Sequence, residues 1–288
     1  MTGAGPGARF GFVQFEFAFP LGPADGRYMV RDAPGADPER IVVLRTGGAR
    51  PRPLLGGRRP RRLEPSEEPE PVPVVTATIV RPAPFDSAGE ADAWLDGLRG
   101  DRDALEAAAE AAASELNAVL RAHRAAAADP YARDVAPAGA NAVRAGYGSG
   151  QQVAEGRFAA AIDVPPPGRR SASRRRAEAL APHERLASIL SGHEDVLACE
   201  ELVLRARADL AAGRPREAAL QARVALEALL AELRANSTGL DGLEADREPV
   251  GRAANAAIAG DPGEELNEAV VGAVARMEHA LRRRRHPA

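Results

Sequence analysis

The chain has 288 residues, of which 45% are hydrophobic and only 4% aromatic, and its formal net charge is −3. This length is enough for one large domain or two smaller ones with a buried core. The small negative charge excludes a general electrostatic attraction to nucleic acid or to an anionic membrane. All 38 basic residues are Arg, which we interpret as a sign of GC-rich coding rather than of a function.

The cysteine content and the length of the apolar runs indicate the cellular compartment of the protein. Cys199 is the only cysteine, so an intrachain disulfide is excluded, and its acidic neighbours Glu200 and Glu201 oppose a reactive thiolate. We predict a buried structural thiol. The first residues carry no secretion signal, and no apolar run reaches the roughly 18 residues that a membrane span needs. We therefore expect a cytoplasmic protein without a membrane partner.

Residues 1–85 are predicted to form a small antiparallel sheet. Phenylalanines from Phe15 to Phe19 alternate with polar or small residues, which is typical of a half-buried strand. Further strands are predicted at Arg27–Arg31, Arg40–Thr46 and Val74–Arg81, so that one face of the sheet needs a cover. The segment 47–73 is rich in Arg, Pro and Glu and is predicted to be a disordered loop.

The rest of the chain is predicted to be mainly helical. Residues 86–165 would hold a long helix over Ser87–Ala128, interrupted near Asp101, then a Gly-rich connection and a short strand over Phe158–Val164. Residues 166–181 read as an Arg-rich linker. Residues 182–288 predict an antiparallel helical bundle with helices at Glu194–Ala212 and Pro215–Ala235, and a last helix whose apolar face runs from Leu266 to Leu281.

The long helix carries a heptad pattern. Apolar or small residues recur at alternating spacings of four and three, at Leu105, Ala109, Ala112, Leu116, Val119 and His123. Such a seam predicts a partner helix, either in this chain or in a second copy. Leu105, Ala112, Leu116, Val119 and His123 are therefore the predicted interface residues.

The stretch "RAGYGSGQQVAEG" invites comparison with phosphate-binding loops. A dinucleotide fingerprint needs a buried strand before the glycines and an uninterrupted helix after them, and a Walker loop needs a Lys. We predict neither context, and interpret the glycines as a tight connection between the long helix and the short strand. If this loop binds a ligand, the contacts come from Arg144, Gly146, Tyr147, Gly148, Ser149 and Gly150.

The sequence offers no recognisable catalytic or metal site. His183 and His193 each begin a His-Glu pair, but the fifth residue of each is Ala187 or Leu197, so neither forms the two-histidine motif of a zinc hydrolase. No catalytic pair can be selected among 41 carboxylates. We predict no cofactor and no metal, and we expect that the protein is not an enzyme.

The arginine clusters are the remaining feature that indicates a class of partner, because guanidinium groups bind the phosphate backbones of nucleic acids. Aromatic residues that would stack on bases are absent nearby. The residues that would contact a polyanion are Arg169, Arg170, Arg174, Arg175, Arg176, Arg282, Arg283, Arg284 and Arg285.

Together these features predict an α+β protein with an N-terminal sheet, a long central helix and a C-terminal helical bundle. The first hypothesis is a non-catalytic interaction or scaffold protein that binds a partner or itself through helical faces. The alternative is a nucleic-acid-binding accessory protein that uses the arginine clusters. The third hypothesis is a nucleotide-binding enzyme that uses the Gly-rich loop.

Overall fold

The computed structural model describes residues 7–31, 33, 35–47, 73–165, 183–233 and 241–285. The chain divides into two compact units, Met1–Gly168 and Arg169–Ala288. The first combines a sheet with helices and the second is helical, which confirms the predicted α+β class. The predicted loop 47–73 lies outside the described residues except at its two ends, and the predicted linker 166–181 lies outside them entirely.

The first unit, which we call the sheet unit, contains a six-stranded antiparallel sheet in the order β2-β3-β4-β1-β5-β6. The strands are β1 Arg9–Phe17, β2 Gly26–Val30, β3 Arg40–Gly47, β4 Val74–Val80, β5 Ala142–Ser149 and β6 Ala160–Asp163. Four of them lie close to the predicted bounds, and the predicted strand over Phe158–Val164 is shorter.

Strand β1 lies at the centre of the sheet, and both of its faces are buried. Phe15 pairs with Ala77 of β4 and with Val143 of β5, and its side chain has no exposed surface. On the opposite face Phe10 and Phe12 pack in a second apolar cluster. The prediction of a half-buried strand is therefore wrong, because helical segments cover the sheet on both sides. Phe19, predicted to continue the strand, lies beyond its end.

Two helices cover one face of the sheet. Helix α1 spans Ala88–Gly100 and helix α2 spans Arg102–Ala127. Asp101 separates them as predicted, because its carboxylate accepts a hydrogen bond from the Ala104 amide and caps α2. Helix α2 ends in Ala128, whose φ of 51° is left-handed.

The heptad seam of α2 packs on the sheet. Its members Leu105, Ala109, Ala112, Leu116 and Val119 are buried in one core with residues of β1, β3, β4 and β5. The prediction that the seam needs a partner helix is wrong, since a stripe of apolar residues on a helix also fits a sheet face. His123 is half-buried beside Gly22. The predicted interface residues therefore make their contacts within the sheet unit.

The second unit, which we call the helical unit, has a core without aromatic side chains. Its helices are α4 183–190, α5 Ala198–Ala211, α6 Pro215–Leu233, α7 Asp241–Ala245, α8 Arg247–Ala259 and α9 Glu264–Arg285, while the short α3, Gly150–Ala154, belongs to the sheet unit. Buried Leu, Val, Ala and Met side chains from α5, α6, α8 and α9 form one cluster. Helix α5 begins four residues later than predicted, at Ala198.

Candidate functional site

The residues of the predicted ligand loop do not converge. Ala142–Ser149 is strand β5, and only Gly150 begins a helix, the five-residue α3. The interpretation of Gly146 and Gly148 as a connecting loop is therefore wrong. Successive side chains of a strand point to opposite faces, so Arg144 and Tyr147 lie on different sides of the sheet. The sequence did not predict a strand here, because glycine and alanine are less common in strands than branched or aromatic residues.

The polar members of this segment are held by neighbours within the unit. Arg144 bonds to Glu16 and, at 3.1 Å, to Asp163, and the hydrogen bond with Glu16 raises the pKa of Arg144. Tyr147 donates to the Asp92 carboxylate, which raises the pKa of the buried phenol. Arg144 thus links β5 to the strands on both sides of it, and Tyr147 links β5 to helix α1.

The glycines themselves permit close packing of backbone. A Cβ on Gly146 would lie 2.3 Å from the carbonyl oxygen of Ala160, and a Cβ on Gly148 would lie 3.2 Å from Cα of Phe158. Ser149 caps α3 by accepting a hydrogen bond from the Gln152 amide. These contacts account for the Gly-rich motif without a ligand.

The structure describes only some of the arginines that were predicted to contact a polyanion. Arg282, Arg283 and Arg284 are exposed, whereas the cluster from Arg169 to Arg176 and the side chain of Arg285 lie outside the described residues. Burial and a hydrogen bond to Glu232 raise the pKa of the Cys199 thiol to about 12, so it is protonated at neutral pH. Among the described residues, no group of His, Cys, Asp and Glu side chains could hold a metal ion.

A different site lies in the sheet unit, where two connections meet. The β1–β2 connection and the α2–β5 connection enclose a cavity of about 490 Å³, which we call the loop cleft. This volume lies in the range that proteins use to bind small molecules or single side chains. Its lining residues are Phe17, Phe19, Pro20, Leu21, Gly22, Asp129, Tyr131, Ala132, Arg133, Asp134, Val135, Ala136 and Gly139.

The α2–β5 wall of the loop cleft is anchored to helix α2. The side chain of Asn117 accepts from the Val135 amide at 2.7 Å and donates to the Val135 carbonyl at 2.8 Å. Arg124 donates to the Ala132 carbonyl at 3.1 Å. The connection also contains one 3-10 turn, Pro137–Gly139, so hydrogen bonds to α2 and local structure together support this wall.

The opposite wall depends on a glycine. Gly22 has a φ of 107°, and a Cβ at this position would lie 2.9 Å from the His123 ring. Only glycine combines this conformation with so close an approach to α2. The β1–β2 connection therefore passes directly over the end of α2, which brings Phe19 and Leu21 to the cleft.

The loop cleft gathers exposed aromatic surface. The chain has seven Phe, three Tyr and one Trp, and of these Phe19, Tyr131 and Phe158 are exposed. Phe19 is 45% exposed and Tyr131 is 82% exposed, and both line the cleft. Phe17 forms a buried floor and contacts the Phe19 ring at a centroid distance of 5.2 Å.

The carboxylates of the loop cleft have partners in the fold. Asp129 accepts a hydrogen bond from the Tyr131 amide at 2.9 Å, and Asp134 lies 3.8 Å from Arg124. The lining residues include no Ser, Cys, His or Lys that could serve as a nucleophile or base. The apolar side chains of Phe17, Phe19 and Leu21 suit binding through apolar surface.

The sequence contains two features that belong to this cleft, one at Phe19 and one at Tyr131. Phe19 continues the alternation of β1, which predicts that it belongs to the strand, although Pro20 follows it directly. Tyr131 stands in the polar stretch "DPYARD", where an aromatic residue outside any apolar pattern points to an exposed role. Their proximity depends on the fold, because more than 100 residues separate them.

Comparison with known protein families, curated protein sequences and solved structures finds no match to this chain. Within the described parts of the chain, no helix is both long and apolar enough to cross a membrane.

Proposed function

We propose that this chain is a non-catalytic protein-binding protein whose sheet unit holds a partner through the loop cleft. The observation that carries the proposal is the pair of exposed aromatic side chains, Phe19 and Tyr131, in one preformed cavity. Tyr and other aromatic residues contribute strongly to binding energy in protein interfaces, since they offer large apolar area at low entropic cost.

The chemistry of the cleft favours a protein partner over a small polar metabolite. Sites for metabolites present a few convergent polar groups, but here Asp129 and Asp134 are already engaged. The floor and rim offer Phe17, Phe19 and Leu21, which suit an apolar or aromatic anchor side chain on a peptide segment. Asn117 anchors the wall before a partner binds. The wall therefore loses less conformational entropy on association than an unanchored loop would.

The test is a selection of peptides against the intact chain. A library of displayed random 12-residue peptides is panned on the wild-type protein, and the affinities of enriched peptides are measured by calorimetry. We expect enriched peptides to share an apolar or aromatic residue. Tyr131→Ala and Phe19→Ala should weaken binding by about tenfold or more, which corresponds to roughly 1.4 kcal/mol.

Met29→Ala is the matched control, because Met29 is an apolar side chain of the same unit that is 57% exposed and does not line the cleft. This variant should bind the selected peptides like the wild type. Equal binding to all three variants would place the peptide elsewhere on the surface. The absence of any enriched peptide would remove the support for a peptide-binding cleft.

A further inference from the structure

Helix α9 has an exposed face on which acidic, apolar and basic residues follow one another along the helix. One side of the helix is buried through Val270, Val274, Met277 and Leu281. The exposed side is a stripe with spacings of four, three, four, four and three, so that its members lie on one face. We call this stripe the α9 outer face, and it comprises Glu264, Glu268, Val271, Ala275, His279 and Arg282.

The charges of this face are separated along the helix. The first half of α9 carries Glu264, Glu265 and Glu268 and no arginine, while the second half ends in Arg282–Arg285. The middle of the face is apolar, with Val271 exposed to 52% and Ala275 also exposed. The face is therefore acidic, then apolar, then basic.

This order complements itself when a second helix runs antiparallel. If Val271 lies opposite Ala275 of another copy, Glu264 lies opposite Arg282. Glu268 then lies level with Glu278, whose side chain is only 19% exposed, and next to His279 on the exposed face. Each contact then occurs twice, which is the rule for a two-fold interface. A parallel arrangement would instead place Glu opposite Glu and Arg opposite Arg, which is unfavourable.

From this complementarity we propose that the occupant of the α9 outer face is a second copy of this chain, held antiparallel as a two-fold dimer. An open surface recess of about 390 Å³ lies at the acidic end of the α9 outer face, and Asp261, Glu264, Glu268 and Val271 are among the residues that line it. The guanidinium group of Arg282 from the other copy would enter it. Arg282 is 61% exposed and lies 3.8 Å from Glu278, so its guanidinium group is accessible to a second carboxylate.

The dimer is expected to be weak and sensitive to salt. One helix of 22 residues is about 33 Å long, and a single helix pair buries less area than a standard stable interface. Its exposed charge pairs are screened as ionic strength rises. The inference is independent of the loop cleft, and Tyr131→Ala should leave the dimer affinity unchanged.

Charge exchange on the intact chain tests the register. Glu264→Arg alone and Arg282→Glu alone each place like charges together twice, so sedimentation equilibrium should show a loss of dimer of about tenfold or more. An equimolar mixture of the two variants should restore the dimer. The introduced arginine of one chain then faces the introduced glutamate of the other, and the second contact is the native one between Glu264 and Arg282. Combining the two changes in one chain should restore the dimer as well.

Two further variants keep the result interpretable. Arg252→Glu is the matched control, because Arg252 is exposed to 60% and lies 3.8 Å from Glu248, four residues away, like Arg282 beside Glu278. It should dimerise like the wild type. Val271→Glu should abolish the dimer while far-ultraviolet circular dichroism stays unchanged. A wild-type chain that remains monomeric at every concentration, or a mixture that does not associate, would overturn the proposal.

Discussion

Asn117 of helix α2 and Val135 of the following connection are joined by two reciprocal hydrogen bonds, of 2.7 and 2.8 Å. The amide side chain thereby replaces the partner that the Val135 backbone would find in a strand or helix. Because Val135 lines the loop cleft, this pair connects the rigid helix to the wall that we propose as a binding surface.

Removing this anchor should affect both stability and binding. Asn117→Ala leaves two half-buried backbone groups of Val135 without their protein partner, and we expect a loss of about 1–3 kcal/mol in the free energy of unfolding. Urea unfolding followed by Trp94 fluorescence measures this loss in the sheet unit. Gln151→Ala, which removes an exposed hydrogen bond to Glu155 in the same unit, should cost less than about 0.5 kcal/mol. Equal effects of the two substitutions would contradict the anchoring role.

If the Gly-rich motif serves close packing, alanine substitutions at two glycines should change the free energy of unfolding in opposite directions. Gly146→Ala would place a Cβ 2.3 Å from the Ala160 carbonyl, so we expect destabilisation of about 1–3 kcal/mol or more. Gly97→Ala, in helix α1 with nothing within 4 Å of the added Cβ, should stabilise the unit by about 0.5–1 kcal/mol. Denaturant unfolding of the two variants provides the comparison. A Gly146→Ala protein of wild-type stability would reopen the question of a ligand.

The heptad seam should behave as core. Leu116 has no exposed surface, and Leu116→Ala should lower the free energy of unfolding by about 2–5 kcal/mol without changing the molar mass measured by light scattering. Leu204→Ala, at a leucine that is 60% exposed on α5, is the control and should change stability by less than about 0.5 kcal/mol. A folded Leu116→Ala protein with a lower molar mass than the wild type would instead support the predicted interface.

Cys199 should make the helical unit less stable at alkaline pH. Its pKa is raised to about 12 by burial and by the hydrogen bond to Glu232, while a thiol in an unfolded chain titrates near about 8.5. The folded state therefore keeps a proton that the unfolded state loses. This contribution is complete below the unfolded pKa and is lost as the pH rises towards the folded pKa, by up to about 1.4 kcal/mol per pH unit.

The sequence makes this effect measurable, because residues 169–288 contain no Lys and no Tyr that would titrate in the same range. Urea unfolding by circular dichroism at several pH values between 8 and about 10.5 should give a steeper decline for the wild type than for Cys199→Ala. The tyrosines of the sheet unit contribute equally to both proteins. Parallel declines would show that the thiol does not titrate differently in the folded state.

Much of the architecture was predictable from sequence because it depends on local patterns. The alternation in β1, the helix start near Ser87, the cap at Asp101 and the apolar stripe of α9 each follow from residues close together in the chain. These signals also placed strands β2, β3 and β4 and helix α6 near their observed bounds.

The failures concern contacts between distant segments. Strand β5 contains Ala and Gly at positions where strands favour branched residues, and it is a strand because it pairs with β1 on one side and β6 on the other. The seam of α2 has the spacing of a coiled coil, and sequence alone does not distinguish a helix partner from a sheet partner. The loop cleft was missed for the same reason, since Phe19 and Tyr131 meet only after the sheet forms.

The most direct measurement of the proposed function is a titration of ¹⁵N-labelled protein with a selected peptide, followed by amide chemical shifts. The proposal predicts the largest shifts at the amides of the two walls, in 17–22 and 129–139, with saturation at one peptide per chain. The same titration of Tyr131→Ala should give much smaller shifts at equal concentration. Shifts confined to the helical unit, or to the opposite face of the sheet, would contradict the assignment of the loop cleft as the binding site.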